Sequence, residues 1–517
     1  MKRLIVCCDG TWNTPEQEEN NIPAPTNVVR FFNAVAEHDG AGNVQEKYYH
    51  PGVGTEGSFL VHTAGGVYGE GLDKNIKSAY SWLAAHYQAG DAIYLVGFSR
   101  GAYTVRSLGG LIGRCGLPIL TDLAPEEAWS RIESAYQQGY QEGADAWRRP
   151  EWLWHSTDAL TIDFIGVWDT VGARGIPDDL SLLNVFDDPE KWRFYDTRLG
   201  PQVKRARHAL AMDEMRASFT PTLWTDAHDQ PIYDDASGRV QQLWFPGVHS
   251  DVGGGYSATG LSDIALQWMI EEASVTGLAF ARNFLQQLRP DPQGTLHDSI
   301  RGVFKALRTR PRNLPNLDAG VYFHPSALQR LANPPITQAP YRSSRKLDIG
   351  QEIAIPVYAI QHWNWTGIYL EMGASYELRA SGAWLDKTIA CGPEGAQDGK
   401  FELGEIAYLA GSILGKFESL FQKVSGNQKA DFIATRRIES LPWFCLVGVI
   451  ANDGVTGDSN PAADGSPSPH QYLPIGVGPY PLSRVQKGGY LYAFANDAWH
   501  FYDNNRGHVT LWVKRTG

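Results

Sequence analysis

The chain has 517 residues, 43% hydrophobic, 12% aromatic and 20% charged; that is core material for two or three globular domains and rules out a disordered or fibrous protein. Lys and Arg number 45 against 57 Asp and Glu, a net charge of −12, which argues against binding nucleic acid through a general basic surface, so no nucleic-acid partner is expected. The five cysteines, Cys7, Cys8, Cys115, Cys391 and Cys445, contain no CxxC spacing. Zinc-ribbon and thioredoxin-like sites are therefore excluded, and folding in a reducing compartment is expected.

The N-terminus, Met1-Lys2-Arg3 followed by an apolar run that stops at Asp9, imitates a signal peptide but falls short of the ~7–15 apolar residues one needs. Nothing approaches the ~18 apolar residues of a membrane span. The expectation is a soluble protein made in the cytoplasm without a signal peptide. In chain order, Leu4–Cys8 reads as a strand, Asn27–Glu37 as a helix, Gln45–His50 as a strand and Asp73–Gln88 as a helix. Ala92–Val96 and Thr161–Trp168 are short strands apolar throughout, Gly101–Gly113 is a helix between them, and Val203–Arg216 reads as helical. Strands without alternation belong to parallel sheets covered on both faces. The fold expected for residues 1–331 is α/β, a mostly parallel sheet with helices on both faces.

Residues 332–347, with Pro334-Pro335 and Ala339-Pro340, read as a linker. From 348 to 517 the texture changes to Gly-punctuated strands (Gly367–Leu370, Tyr376–Ala380, Phe444–Ile450, Tyr490–Ala495, Val509–Val513), the pattern of an all-β sandwich. A helical insertion near 398–438 interrupts it. Within the insertion, Ile406, Leu409, Ile413, Leu414, Phe417, Leu420 and Phe421 recur at the spacing of an amphipathic helix over Glu405–Val424.

Gly97-Phe98-Ser99-Arg100-Gly101 is a GxSxG pentapeptide. In a chain with 54 glycines the match alone is weak. Its context is stronger, because an apolar strand runs into it and a helix leaves it, as a nucleophile elbow requires. The plainer alternative is a turn whose Ser caps the helix. A nucleophilic Ser needs a base, and the base an orienting acid. Phe164–Asp169 is an apolar strand ending in a carboxylate, and Leu243–His249 a second one ending in an imidazole before Gly253-Gly254-Gly255. Asp169 and His249 thus sit at strand ends, where open α/β sheets bind ligands. Asp251 and Asp163 are alternative acids, His208 and His228 alternative bases, although Asp163 lies mid-strand and His208 in the helical stretch. Oxyanion donors are expected from the Arg100 N–H and from the Gly10-Thr11-Trp12 turn after the first strand, for which a simple Asp-Gly turn is the plainer alternative.

The ordered set CDGTWN (Cys8–Asn13), GFSRGA (Gly97–Ala102), FIGVWDTVG (Phe164–Gly172), HALAMDEMR (His208–Arg216) and PGVHSDVGGGY (Pro246–Tyr256) resembles the uncharacterised α/β-hydrolase family that includes the catalytic domain of class 1 type VI secretion phospholipase effectors. The resemblance covers roughly residues 1–325. It implies a phospholipase A-type esterase with Ser99, Asp169 and His249 as its triad and no cofactor for the hydrolysis. Type VI delivery to a target cell's periplasm or membrane is implied too, with a secretion tip protein and an immunity protein as partners.

Residues from about 348 to 515, through YELRASGAWLD (Tyr376–Asp386), GYLYAFAND (Gly489–Asp497) and YDNNRG (Tyr502–Gly507), resemble the calcium-dependent galactose-binding lectins of bacteria. That resemblance implies a Ca²⁺ site with ligands at Asp497, Phe501, Asn504 and Asn505 and a further one at Asp386, and a glycan ligand. Mixed oxygen donors suit Ca²⁺; the plainer alternative for Asp503-Asn504-Asn505 is a polar turn. The expected function is a lipid-cleaving serine hydrolase with a targeting module. A soluble carboxylesterase and a glycan-binding protein on an inactive hydrolase scaffold are the alternatives.

Overall fold

The computed structural model describes residues 1–10, 13, 16–52, 68–144, 147–171, 198–228, 230–301, 304–305, 308–386, 389–396, 436–455, 469–499 and 501–517. Two compact units emerge: Met1–Leu307 with Ala319–Tyr341 and Asn460–Pro467, and Arg308–Asp318 with Arg342–Ser459 and Ser468–Gly517. The chain therefore leaves the first unit within the stretch read as a linker. Residues 308–318, grouped by sequence with the first domain, belong to the second.

The first unit contains β1 (Arg3–Cys8), α1 (Asn27–Ala34), β2 (Gln45–His50), α2 (Tyr68–His86), β3 (Ala92–Phe98), α3 (Arg100–Cys115) and α4 (Pro125–Ser134). Further along come β4 (Ile162–Trp168), β5 (Ala206–Ala211), β6 (Val240–Phe245), α5 (His249–Gly253), α6 (Gly260–Ser274) and α7 (Pro325–Ala332). The six strands form one sheet in the order β6-β5-β4-β3-β1-β2, every neighbouring pair parallel.

The strands are apolar throughout because each face has its own core. Leu4, Val6, Ile93, Leu95, Ile165 and Val167 pack with α2 and α3 through Ile76, Tyr80, Val105 and Leu108. The alternate residues Ile5, Cys7, Tyr94, Val96, Phe164 and Trp168 pack with α1 and α6 through Phe31, Ala265 and Met269. Period-two alternation thus sorts large side chains between two helical layers instead of between core and water. At about 1.5–3 kcal/mol per buried large aliphatic side chain, this double burial is the main force holding the strand ends in place.

Val203–Arg216, expected to be helical, is instead built around the strand β5, between β4 and β6. The Ala- and Leu-rich composition favours helix, but pairing on both edges overrides it.

In the second unit, β7 (Glu352–Tyr358), β8 (Asn364–Leu370), β9 (Tyr376–Asp386), β10 (Ile389–Cys391), β11 (Leu446–Asn452), β12 (Gln471–Pro474), β13 (Tyr480–Leu482), β14 (Gly489–Ala495) and β15 (Asn505–Arg515) form two antiparallel sheets. Their orders are β7-β15-β9-β10, with β13 also on β9, and β8-β14-β11-β12. Val509, Leu511 and Val513 of one sheet and Leu446, Ile450 and Leu491 of the other share one buried core, a sandwich arrangement. The expected helix over Glu405–Val424 lies outside the described residues.

Candidate active site

β3 ends at Phe98, and the chain turns through Ser99 at φ +56° and ψ −121° into α3. A non-glycine residue there carries strain of about 1–3 kcal/mol, tolerated only where the surroundings enforce it. They do so through close packing. A Cβ on Gly97 would lie 2.5 Å from the Gly101 carbonyl oxygen, and one on Gly101 would lie 2.1 Å from the Cys8 carbonyl oxygen. The Ser99 N–H donates to the Trp168 carbonyl at 3.0 Å. The Ser99 side chain makes no helix-capping bond, so the capping alternative has no support.

Asp169 follows β4 at φ +38° and is fully buried. Its Oδ1 accepts the Ala211 N–H at 3.0 Å and its Oδ2 meets His249 Nδ1 at 2.6 Å. Thr170 N–H donates to His208 Nε2 at 3.0 Å, which leaves the His208 proton on Nδ1, facing Gln242 Oε1 at 3.0 Å. His208 is thus buried behind Asp169, with both ring nitrogens hydrogen-bonded. His249 opens α5, with its ring 4.5 Å from Phe98, the residue before Ser99, and 4.9 Å from Phe219. Burial pushes the imidazole below its usual pKa, against the pull of Asp169. With Nδ1 donating to Asp169, Nε2 keeps its lone pair for a proton.

The other candidates are committed elsewhere. Asp251 pairs with His297 Nδ1 at 2.5 Å, Asp163 pairs with Lys204 at 2.8 Å, and the His228 side chain is 87% exposed. Of the residues expected to hold an oxyanion, Arg100 is the first residue of α3, directly after Ser99. Gly10 lies against Ser99, since a Cβ on it would come 3.2 Å from Ser99 Cβ. Its own N–H donates to Asp9 Oδ1 at 2.7 Å. Thr11 and Trp12 lie outside the described residues. Asp9 is a further group that the sequence reading passed over: its Oδ2 accepts from Thr26 Oγ1 at 2.6 Å and Tyr49 Oη at 2.9 Å, and burial raises its pKa to about 6. Glu214 and Arg216, part of the HALAMDEMR motif but given no role from sequence, lie buried beside His249. Their signal is a cluster of charged residues, Asp213, Glu214 and Arg216, just after the apolar run Ala209–Met212.

In the second unit, Asn505 Nδ2 donates to Asp497 Oδ2 at 2.9 Å and Asn504 Nδ2 to Asp386 Oδ1 at 2.7 Å. The two amide oxygens, Asn504 Oδ1 and Asn505 Oδ1, are buried with no hydrogen-bond partner among the described residues. Orphaned carbonyl oxygens next to two carboxylates are a donor set that fits a hard cation such as Ca²⁺. The Phe501 N–H donates to the Ala498 carbonyl at 3.1 Å, which closes the loop on which these residues sit. Among the described residues no three His, Cys, Asp or Glu side chains converge as a metal site, and no helix is long and apolar enough to cross a membrane.

Among known proteins, the chain is 29% identical over 247 residues to the uncharacterized protein YEL023C of Saccharomyces cerevisiae, a match covering 43% of this chain and 33% of that one. The chain thus spans about a third of the length of that curated relative. An uncharacterized protein from Pseudomonas aeruginosa aligns over 56% of this chain and 49% of its own at 20% identity and a TM-score of 0.34. The Tle1 effector bound to the VgrG spike of the type 6 secretion system aligns over 62% and 83% at 15% identity and a TM-score of 0.32. The EclA N-terminal domain, a PllA-like lectin, aligns over 31% and 94% at 15% identity and a TM-score of 0.19. The profile of the Tle1-like phospholipase effector catalytic domain of the type VI secretion system (T6SS) matches residues 2–272, half of the chain. The chain belongs to that family, the T6SS Tle1-like phospholipase effectors.

Proposed function

We propose that the chain is a serine acyl hydrolase that cleaves phospholipid ester bonds, with Ser99 as nucleophile, His249 as base and Asp169 as the orienting acid. The observation that carries the reading is the 2.6 Å Asp169–His249 pair, beside the strained Ser99 turn at the carboxyl ends of adjacent parallel strands. Ser99 Oγ attacks the ester carbonyl as its proton moves to His249 Nε2. The tetrahedral oxyanion is held by the Arg100 N–H and by an N–H of the Gly10–Trp12 turn. Collapse expels the alcohol, which leaves with the proton from His249. Water then repeats the sequence on the acyl-serine, releasing the fatty acid and restoring Ser99. Asp169 keeps the Nδ1 proton in place and offsets the imidazolium charge.

Delivery by a type VI machine, through a tip protein and with an immunity protein in the producing cell, follows from the family and belongs to this proposal. So does the role of the β-sandwich as a targeting module for a glycan. There Asp386, Asp497, Asn504, Asn505 and the Phe501 carbonyl would hold Ca²⁺, which when bound supplies a fixed positive charge for polar ligand oxygens. Hydrolysis of phospholipid liposomes compared with a p-nitrophenyl ester, for the intact chain and Ser99→Ala, tests the reading. Lipid cleavage abolished by Ser99→Ala is expected. Turnover of the soluble ester alone would make the protein a carboxylesterase, and lipid cleavage by Ser99→Ala would refute the mechanism.

A further inference from the structure

We infer that Glu214 and Arg216 are positioning residues that hold the base His249 by both its backbone and its ring; the inference rests on the reading of His249 as the base. The Glu214 carboxylate is fully buried, and its Oε2 accepts the His249 N–H at 3.2 Å and Arg216 Nη2 at 2.8 Å. Its Oε1 accepts the Arg216 N–H, Arg216 Nε and Ser299 Oγ, each at 2.9 Å. The Arg216 guanidinium in turn lies 3.5 Å from the centre of the Phe219 ring, and the Phe219 ring meets the His249 ring edge-on at 4.9 Å and 80°. Phe304 lies 4.9 Å from the same guanidinium. The contacts close a circuit. From Glu214 one path runs directly to the His249 backbone, and the other runs through Arg216 and Phe219 to its imidazole.

A buried ion pair is poor value as a stabiliser, because desolvation consumes most of the attraction; an apolar pair of similar volume serves stability as well or better. What an apolar pair could not do is accept the N–H at the first residue of α5 or stack a planar cation on Phe219. The pair also balances the field at the base. Arg216 disfavours the imidazolium and Glu214 favours it, while Asp169 favours it from the end of β4. Asp251 on α5 itself is engaged by His297, and the buried Asp213 beside Glu214 accepts the Gly247 N–H. The segment after β5 thus serves the base, as His208 within β5 serves the acid.

The test compares Glu214→Gln, Arg216→Gln, Arg216→Lys and Phe219→Leu in the full chain. It uses kcat and KM on a soluble p-nitrophenyl ester and an NMR titration of the His249 imidazole, assigned by loss of its signal in His249→Gln. Glu214→Gln leaves Arg216 unopposed, so the His249 midpoint falls; Arg216→Gln leaves Glu214 unopposed, so it rises. Arg216→Lys keeps the charge and loses the planar fork: the midpoint stays near wild type while kcat falls about tenfold to a hundredfold, with KM within about twofold. Phe219→Leu touches neither charge and lowers kcat in the same way, which keeps the test alive if a charge variant fails to fold. Midpoints that shift in the same direction or not at all, or losses that appear in KM and not in kcat, would overturn the inference. The titration needs no turnover. A wild-type chain that cleaves no ester would sink the hydrolase reading while the opposite shifts still decided the cradle.

Discussion

Replacing Asp169 by Asn keeps the shape of the acid and changes only which atoms can accept. The Ala211 N–H at 3.0 Å and His249 Nδ1 at 2.6 Å both reach the carboxylate in the fully buried site. An amide has one oxygen to offer. Turned so that its NH₂ meets Ala211, it leaves a buried backbone N–H without an acceptor, at a cost of about 1–3 kcal/mol. Turned so that its oxygen keeps Ala211, its NH₂ faces His249 Nδ1, which must then be the unprotonated nitrogen. The second orientation is the cheaper one, and it moves the imidazole proton to Nε2, where the Ser99 proton has to go. The expected loss is about 10⁴ in kcat, or about 5.5 kcal/mol of transition-state stabilisation, with KM nearly unchanged because no substrate contact is touched. Steady-state hydrolysis of p-nitrophenyl butyrate and of liposomes measures it, with a thermal melt to establish folding. Asp251→Asn is the paired control: its carboxylate serves His297 and the Val248 N–H, so its loss should stay within about tenfold. A nearly normal Asp169→Asn beside a dead Asp251→Asn would refute the assignment of the acid.

Gly101→Ala forces a Cβ to 2.1 Å from the Cys8 backbone oxygen, which no rotamer can relieve, so a loss of about 3 kcal/mol or more and a clear fall in Tm are expected; an unshifted melt would contradict the packing. Because burial depresses the pKa of His249 and the base works unprotonated, the acid limb of kcat/KM should fall below the ordinary histidine value near 6.5, and a limb above it would count against His249. Asp9 titrates at about 6 when folded, above its unfolded value, so its contribution to stability is complete below about pH 4 and lost as pH rises through 6. Plotted against pH, the Tm of wild type minus that of Asp9→Asn should decline across that window, and a flat difference would refute it. In the second unit, calcium should raise the Tm of the full chain at its β-sandwich transition and Asp497→Ala should lose the rise; identical curves with calcium and with chelator would remove the site.

The parts of the fold that could be read from sequence are those where local pattern and tertiary need coincide. Leu4–Cys8, Ala92–Phe98 and Ile162–Trp168 are apolar at every position because both faces are buried, and Ser99 and Asp169 could be located from where those runs end. β5 failed that test. Ala206-Arg207-His208-Ala209-Leu210-Ala211 has the composition of a helix, and its two polar residues are tolerated in a central strand only because Arg207 meets Glu272 and His208 meets Gln242, partners 65 and 34 residues away. No local window contains that information. The place of residues 308–318 was hidden for the same reason. Trp363 Nε1 reaches Thr309 Oγ1 at 2.9 Å and His470 Nε2 reaches the Pro311 carbonyl at 2.8 Å, contacts that span 54 and 159 residues.

The strand order also sets a timetable for synthesis. β3 pairs with β1, which precedes it in the chain, and with β4, whose Trp168 carbonyl accepts the Ser99 N–H, so the serine turn has its contacts once β4 exists. The proposed base, His249, comes later still, on α5 just after the edge strand β6 and 80 residues after Asp169. A growing chain that ends before Val240 holds a strained serine with nothing to take its proton, and such a hydroxyl is a poor nucleophile near neutral pH. On the proposed mechanism, hydrolytic competence is therefore withheld until the last strand of the sheet docks, and a fragment released early from the ribosome is expected to be inert towards esters.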